Sequence, residues 1–593
     1  MPAAAETDFG RQKGIEKTMK KLMLGNEAVA RGAYEAGVSV ASSYPGTPST
    51  EITEFIAKYD EIYSEWAPNE KVAVEVASGA AIAGGRALSA MKHVGLNVAA
   101  DPLFTMSYIG VTAGLVLCVA DDPGMHSSQN EQDSRNYAIG AKVPMLEPSD
   151  SSECRDFVKK AYEISEKFDT PVLLRLTTRV AHSQSEVELF ERENHPAKEY
   201  KKDAIKHVMV PANARPKHVL VEQRMAALAE FNNISDLNRV EMNDTKIGII
   251  TAGIAYQYAR EAFPGASFLK LGMINPLPES LIRDFAAKVD TLYVIEELDP
   301  VLERQIRAMG IEAHGKDLLP LIGEYSAALL REKILGEKKE AGFNVEEVIP
   351  VRPPVMCPGC SHRGVFYVLN KLKLTVSGDI GCYSLGSAKP LDSIDSIICM
   401  GASISALHGM EKAQGREFAK KSVGVLGDST FLHSGITGLI DMVYNKGTST
   451  VIILDNSITG MTGHQENPAT GFTIKGEPTR QVDLEKLCRA VGIDKVTIAD
   501  PFDVENFEKV LREHLAAEEP TVIIAQRPCA LLKKAGYTGC CEITDACKNC
   551  KMCMKLGCPA ISMKETGPVI DETLCNGCGL CVNICKFGAI VKK

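Results

Sequence analysis

No apolar run in this sequence is long enough to cross a membrane. The longest, such as IGVTAGLVLCVA at 109–120, fall short of the roughly 18 to 20 residues a spanning helix needs. The polar start MPAAAETDFGRQKG lacks the apolar core of a secretory leader. Basic residues are not in excess either: the formal net charge of -10 argues against a broad nucleic-acid surface. There is no low-complexity tract and no repeat of fixed short period, which sets a solenoid aside. Cysteine is scarce through most of the chain, with ten of the eighteen crowded into the last 54 residues, so a disulfide framework is a poorer reading than metal binding. These absences lead us to expect a soluble, cytoplasmic protein without membrane or nucleic-acid partners.

At roughly 150 residues per domain, 593 residues imply about four domains. Residues 20–182 alternate short apolar strands with helical stretches, the rhythm of a doubly wound parallel sheet. A charged, weakly periodic stretch at 183–245 reads as a long connector with some helix, and 246–335 as a smaller α/β unit. A third α/β block spans 356–535, with SVGVLGD, STVIILDN and TVIIAQ apolar enough to be buried on both faces. Residues 540–593 form a cysteine-rich tail. The expected fold class is therefore multidomain α/β with a small α+β domain at the end.

The tail carries two runs, Cys547, Cys550, Cys553, Cys558 and Cys575, Cys578, Cys581, Cys585. C-x2-C-x2-C lets one loop wrap three corners of an iron–sulfur cubane, and in two-cluster ferredoxins the fourth cysteine of each run serves the other cluster. The pattern predicts one [4Fe-4S] centre on Cys547, Cys550, Cys553 and Cys585, and a second on Cys575, Cys578, Cys581 and Cys558. Two departures are visible: four residues precede Cys558 instead of three, and Lys586 replaces the usual proline. Structural zinc is the alternative, since paired C-x2-C also builds tetrahedral sites. Cys540 and Cys541 fall outside the pattern, and Cys118, Cys154, Cys399 and Cys488 read as core residues.

Such a tail moves electrons without generating them. A source is suggested where one apolar strand delivers Gly427, Asp428 and Ser429 and the next delivers Asn456, both at the carboxyl edge of a parallel sheet, where α/β folds bind ligands. Asp428, the Asn456 amide oxygen and the Ile458 carbonyl could supply the protein share of a Mg2+ octahedron, and a helix beginning near Thr430 could offer its amides to a diphosphate. The spacing resembles the thiamine diphosphate motif, with Ser429 where that motif often has glycine. Read alone, Asp428 and Asn456 would merely cap strands. Thiamine chemistry also needs a buried carboxyl group against the aminopyrimidine, and Glu75, alone among Val and Ala in KVAVEVASGAA, is the candidate; a helix-start acid facing the macrodipole is the plainer reading.

Taken together, SYPGTPST (43–50), the Glu75 segment, CPGCSHR (357–363), GDIGC (378–382), GDSTFLHSGITGLIDMVYN with DNSITGMTGHQ, and the two terminal runs resemble the 2-oxoacid:ferredoxin oxidoreductase family over essentially the whole chain. The resemblance, closest to the arylpyruvate-acting branch, implies thiamine-dependent oxidative decarboxylation of an arylpyruvate of the indolepyruvate or phenylpyruvate type. Coenzyme A would accept the acyl group, and the electrons would pass singly through clusters to ferredoxin. It implies that Thr47 contacts the substrate carboxylate. It also implies a third, proximal [4Fe-4S] centre on Cys357, Cys360, Cys382 and Cys529, against which stand zinc, a redox-active pair and inert thiols. His433 and His464 are further substrate-contact candidates, with His464 preferred. No smaller domain completing the active site is recognised, so a separate β subunit and an α2β2 assembly are expected, with thiamine between the first and third blocks. A branched-chain 2-oxoacid substrate, or a non-catalytic electron-transfer scaffold, are the alternatives.

Overall fold

The computed structural model describes residues 19–337, 348, 350 and 352–593. They fall into two compact units, one of residues 19–42, 47–63 and 74–337, the other of 43–46, 64–73 and the described residues from 348 onward.

The first unit is built on a seven-stranded sheet in the order Met273–Asn275, Met145–Leu146, Val172–Thr177, Leu115–Asp121, Ala87–Lys92, Val40–Ser43, Tyr63–Trp66. Its central strand, LVLCVAD, is buried at every residue, as a parallel strand covered on both faces requires. Helix Ser151–Phe168 shows why the flanking helices form where they do. Asp150 caps it by accepting from the Glu153 amide at 2.9 Å, and Cys154, Phe157, Val158, Ala161 and Ile164 recur at helical spacing on the buried face. Asp169, in the left-handed region at φ 54°, ends it.

A four-stranded sheet, Thr291–Ile295, Asp244–Ala252, Ala266–Leu271, Arg239–Glu241, belongs to the same unit. The helix expected somewhere in the connector at 183–245 is the 23-residue Pro211–Asn233. Its sequence carries no clear apolar stripe, and only Val221, Leu228 and Asn232 are buried, so periodicity does not mark its ends.

The carboxyl edge of the large sheet is closed by a buried ion network. Arg175 reaches Asp121 at 2.7 Å and Glu147 at 2.5 Å, while Arg135 reaches Asp133 and Glu296, each at 2.5 Å.

The second unit centres on five parallel strands in the order Thr375–Ser377, Ser422–Gly427, Thr450–Asp455, Thr521–Gln526, Lys495–Ala499. Helix Val504–Leu515 covers it, capped by Asp503 and burying Val504, Phe507, Leu511 and Leu515 three to four residues apart. The cysteine tail packs into the same apolar core: Cys541, Cys553, Cys581, Leu556, Leu580 and Ile584 join Val365, Phe366 and Phe502. It has two small antiparallel pairs, Cys541–Ile543 with Ile590–Lys592 and Ile561–Lys564 with Gly567–Ile570, and one short helix, Leu580–Ile584. Of the four cysteines expected in cores, Cys118, Cys154 and Cys488 are there, whereas Cys399 is exposed. It lies in the irregular stretch before helix Ala402–Gln414, beside the exposed Ile398, and its apolar neighbours in sequence never reach a core.

Candidate functional site

In the second unit, adjacent parallel strands bring Asp428 and Asn456 to one edge, as their positions after two apolar runs predicted. Asp428 is 2% exposed, and its Oδ2 has no hydrogen-bond partner. Burial, then the neighbouring Asp455 carboxylate, push its pKa up to about 7. An orphaned buried carboxylate oxygen is costly unless something binds it, and the electrostatics call for a cation. Asn456 is also buried and turns sharply: Ser457 adopts φ 59°, and the Ile458 amide donates to Asn456 Oδ1 at 3.3 Å. Among the described residues no three His, Cys, Asp or Glu side chains gather as ligands of a single ion. The set expected here is of another kind, the Asp428 carboxylate and the Asn456 amide with the Ile458 carbonyl, and such oxygens would suit Mg2+ with phosphate and water filling its remaining positions.

The helix after the strand starts at Asp428, two residues earlier than expected, and is α-helical over Asp428–Thr430, π-helical over Phe431–Gly435 and α-helical again over Ile436–Tyr444. Gly427 is demanded by packing, since a Cβ there would stand 2.9 Å from Tyr383 Cε1. Tyr383 donates to the Ile380 carbonyl at 2.8 Å, and its hydroxyl lies 3.0 Å from Thr430 Oγ1. Asp379 accepts from the amides of Gly401 and Ser403, tying down the start of helix Ala402–Gln414.

Around this edge lies a buried polar shell. Tyr44 pairs with Ser429 at 2.9 Å, and Thr459 donates to the same hydroxyl at 3.0 Å. His433 Nε2 is 2.9 Å from Glu70 Oε2, which only accepts while ionised, so Nε2 carries the proton and Nδ1 accepts from Ser434 at 2.7 Å. Tyr44 stands edge-on to the His433 ring at 4.8 Å. His362 is held neutral by burial, its pKa pushed down to about 4. Its Nε2 lies 3.5 Å from Asn456 Nδ2, so it receives the amide N–H and leaves Asn456 Oδ1 on the opposite side.

The sequence reading missed Tyr44, Glu70, His362, Asp379 and Tyr383. Tyr44, His362 and Asp379 do sit inside the quoted SYPGTPST, CPGCSHR and GDIGC segments, a signal that was available. His464, the preferred histidine, is exposed in a turn at φ 72°, and His433 is the one drawn into the buried network. Glu75 is likewise not buried; it is exposed on helix Glu70–Ile82, whereas Glu70 is 5% exposed at that helix's first residue. Five residues are about 140° of helical rotation, so the two acids occupy different faces, and the uniformly small, apolar sequence gave no phase to choose between them. Thr47 is half-buried and precedes the cis bond to Pro48.

Cys357, Cys360, Cys382 and Cys529 are neighbours in space. Burial pushes Cys360 up to about 12, with Cys382 and Cys357 adding to it, and Cys382 up to about 11, with Cys529 and Cys357 adding to it. The group is stitched to the sheet edge: the Cys529 amide donates to the Asn456 carbonyl at 2.9 Å, and the His362 amide faces Cys360.

In the tail, Cys547, Cys550, Cys553 and Cys585 line one cavity. Cys558, Cys575, Cys578 and Cys581 line another together with a further thiol, Cys541. The cysteines expected to share a cluster therefore share a lining. The linings are otherwise largely apolar, with Leu556, Ile561, Ile570 and Leu580 in the second. Pro358 and Gly359, from the loop between Cys357 and Cys360, form part of that second cavity's wall. Gly359 sits at φ 70° against Asn576, whose Nδ2 donates to the Pro358 carbonyl at 2.9 Å.

Comparison with known proteins follows the same division. Residues 31–243 match the family described as "Pyruvate flavodoxin/ferredoxin oxidoreductase, thiamine diP-bdg", 379–525 match "Thiamine pyrophosphate enzyme, C-terminal TPP binding domain", and 568–591 match "4Fe-4S binding domain". The chain is 40% identical to indolepyruvate oxidoreductase subunit IorA of Archaeoglobus fulgidus, over 96% of this chain and 97% of that one. It is 39% identical to the IorA of Pyrococcus horikoshii, over 97% of each. It is also 23% identical to the 2-oxoglutarate synthase subunit KorA of A. fulgidus, over 51% of this chain and 96% of that one. With identity of this level sustained across nearly its whole length, the chain belongs to the family of indolepyruvate oxidoreductase subunit IorA.

Proposed function

We propose that this chain is the thiamine- and iron–sulfur-bearing subunit of an enzyme that oxidatively decarboxylates arylpyruvates, indolepyruvate first among them. Coenzyme A takes the acyl group, CO2 leaves, and two electrons go to ferredoxin one at a time. Thiamine diphosphate, when bound, supplies the nucleophilic carbon and accepts the electrons left by decarboxylation.

The residues of this chain do the rest. Asp428, Asn456 and the Ile458 carbonyl hold Mg2+, and the oxygen that Asp428 leaves unpartnered is the observation that carries this assignment. His362 fixes the Asn456 amide, and Tyr44 with Thr459 fixes the Ser429 hydroxyl. Following the family resemblance, Thr47 would meet the substrate carboxylate and Glu75 would share a proton with the aminopyrimidine. His433, held by Glu70, replaces His464 as the histidine of the site.

Three [4Fe-4S] centres form a relay. The proximal one sits on Cys357, Cys360, Cys382 and Cys529, the middle one on Cys558, Cys575, Cys578 and Cys581, whose cavity shares a wall with the Cys357–Cys360 loop, and the outer one on the remaining four tail cysteines. Four thiols facing a largely apolar lining on a C-x2-C-x2-C loop suit a [4Fe-4S] cluster better than structural zinc. A β subunit and an α2β2 assembly complete the reading, as does a division into domains at 20–182, 246–335, 356–535 and 540–593.

Anaerobic co-purification with the β subunit tests it, followed by thiamine and iron analysis and an assay of viologen reduction dependent on coenzyme A and 2-oxoacid. Indolepyruvate and phenylpyruvate should outpace 2-oxoisovalerate. Thiamine-free holoprotein, or preference for the branched-chain acid, would sink the corresponding half of the proposal.

A further inference from the structure

The cavity lined by Cys558, Cys575, Cys578 and Cys581 has a fifth thiol in its wall, Cys541. A cubane has four irons and takes four thiolates, so this cavity holds one more sulfur than its cluster needs. The outer cavity shows no such surplus, since Cys547, Cys550, Cys553 and Cys585 are the cysteines in its lining.

Several contacts set Cys541 apart from an ordinary core cysteine. It opens strand Cys541–Ile543, whose antiparallel register with Ile590–Lys592 fixes its backbone, and it is 1% exposed. Its amide donates to Cys575 Sγ at 3.3 Å. Its own thiol is within hydrogen-bonding reach of both Cys575 and Cys581, the first and third cysteines of the second run. Cys540, adjacent in sequence, is not among the residues lining this cavity.

Resting on the cluster assignment above, we propose that Cys541 is a reserve ligand of the middle cluster, able to take the iron vacated by Cys575 or Cys581. The exchange balances without a redox partner. One iron–sulfur bond, to Cys575 or Cys581, breaks and one to Cys541 forms, while the Cys541 proton passes to the departing thiolate; no electron moves. Proximity makes this cheap, because the incoming sulfur already touches the outgoing one and no backbone segment has to travel. The benefit falls on the cluster that borders the Cys357–Cys360 loop, where a lost ligand would cut the relay in its middle.

The test uses the full-length chain purified anaerobically with its β subunit, scored by iron per chain and by the electron paramagnetic resonance of the reduced clusters. Cys541→Ala should keep the wild-type iron content. Cys575→Ala should also keep it, with an altered middle-cluster spectrum, and the Cys541→Ala/Cys575→Ala pair should lose about four irons. Cys581→Ala, alone and with Cys541→Ala, repeats the comparison should the Cys575 variants fail to fold, with bound thiamine reporting that the rest of the chain is intact. Single and double variants losing the same iron would overturn the proposal, as would loss from Cys541→Ala alone, which would make Cys541 an ordinary ligand. Wild-type protein without tail iron would overturn this inference and the relay together, whereas a normal wild type with identical single and double variants would sink the reserve ligand only.

Discussion

Each unit ends a central parallel strand in a buried aspartate, and the two aspartates live in opposite surroundings. Asp121 closes strand Leu115–Asp121 and is met by Arg175 at 2.7 Å, by the Ser134 hydroxyl and, at 3.1 Å, by the Ser134 amide. Asp428 follows strand Ser422–Gly427 and faces another carboxylate, Asp455, with one oxygen left over. The network around Asp121 has loose ends of its own, at Arg175 Nη2 and Glu147 Oε2, but each belongs to a group already paired with opposite charge. The same architecture therefore serves two purposes: a carboxylate supplied with its own cation holds the fold, and one denied a cation is kept for a ligand.

Removing each carboxylate should separate the two roles. Asp428→Ala is expected to abolish thiamine retention and lower 2-oxoacid oxidation by on the order of a thousandfold or more, as for a group that stabilises charge at a reacting centre, while the apoprotein melts no lower than wild type. An apoprotein strongly destabilised by that change would erase the contrast. Asp121→Ala should do the reverse, costing about 3 kcal/mol in denaturant unfolding because it removes one of the two carboxylates that hold the buried Arg175 and leaves Glu147 as the other. A near-neutral result there would mean that the network is not what holds the edge.

Glu297 sharpens the comparison, because it belongs to the first unit yet Arg135 donates to its backbone carbonyl, at 2.8 Å, and not to its carboxylate. It accepts from the Tyr325 amide at 2.7 Å, and burial pushes its pKa from 4.5 up to about 7. A carboxyl with a raised folded pKa binds more protons folded than unfolded between those values, so its contribution to stability falls as pH rises from about 4.5 to 7 and is flat outside that window. Glu297→Gln should remove about 2–3 kcal/mol of that slope in unfolding titrations. An unchanged slope would show that the group is compensated in the folded chain.

What could be read in the sequence follows the range of the forces involved. The runs Cys547 to Cys558 and Cys575 to Cys585 were legible because a cubane constrains neighbouring residues of one loop, while the crossed assignment rests on the likeness to two-cluster ferredoxins. Asp428 and Asn456 were legible because strand ends in a parallel sheet share an edge. Tyr44, Glu70 and His362 were not, because what distinguishes them is a hydrogen bond to a residue between 94 and 385 positions away. The helix expected in the connector could not be given bounds for a related reason: with few buried residues, Pro211–Asn233 has no stripe to mark its ends.

His362 offers a subtler break than either aspartate. Its replacement by Phe keeps an aromatic ring beside Tyr383, with which it makes an edge contact at 5.7 Å, but takes away the acceptor for Asn456 Nδ2. Groups that orient a metal ligand are typically worth 10- to 100-fold in metal affinity. We therefore expect Mg2+ titrations of thiamine binding to shift right by about that factor with the cysteine clusters unaltered, and no shift would show that the Asn456 amide is held without it.

The smallest effect belongs to Tyr44→Phe. The hydroxyl that is lost pairs with Ser429, yet Ser429 keeps its bond from Thr459, so no buried oxygen is orphaned by the change. With the ring still edge-on to His433, the cost reduces to that of one neutral hydrogen bond, about 1 kcal/mol. Measured as a melting shift of the apoprotein, that value would mark Tyr44 as a support of the sheet edge. A loss of thiamine affinity approaching that of Asp428→Ala would instead move it into contact with the cofactor, and the line drawn here between residues that hold the edge and residues that wait for a ligand would have to be redrawn around it.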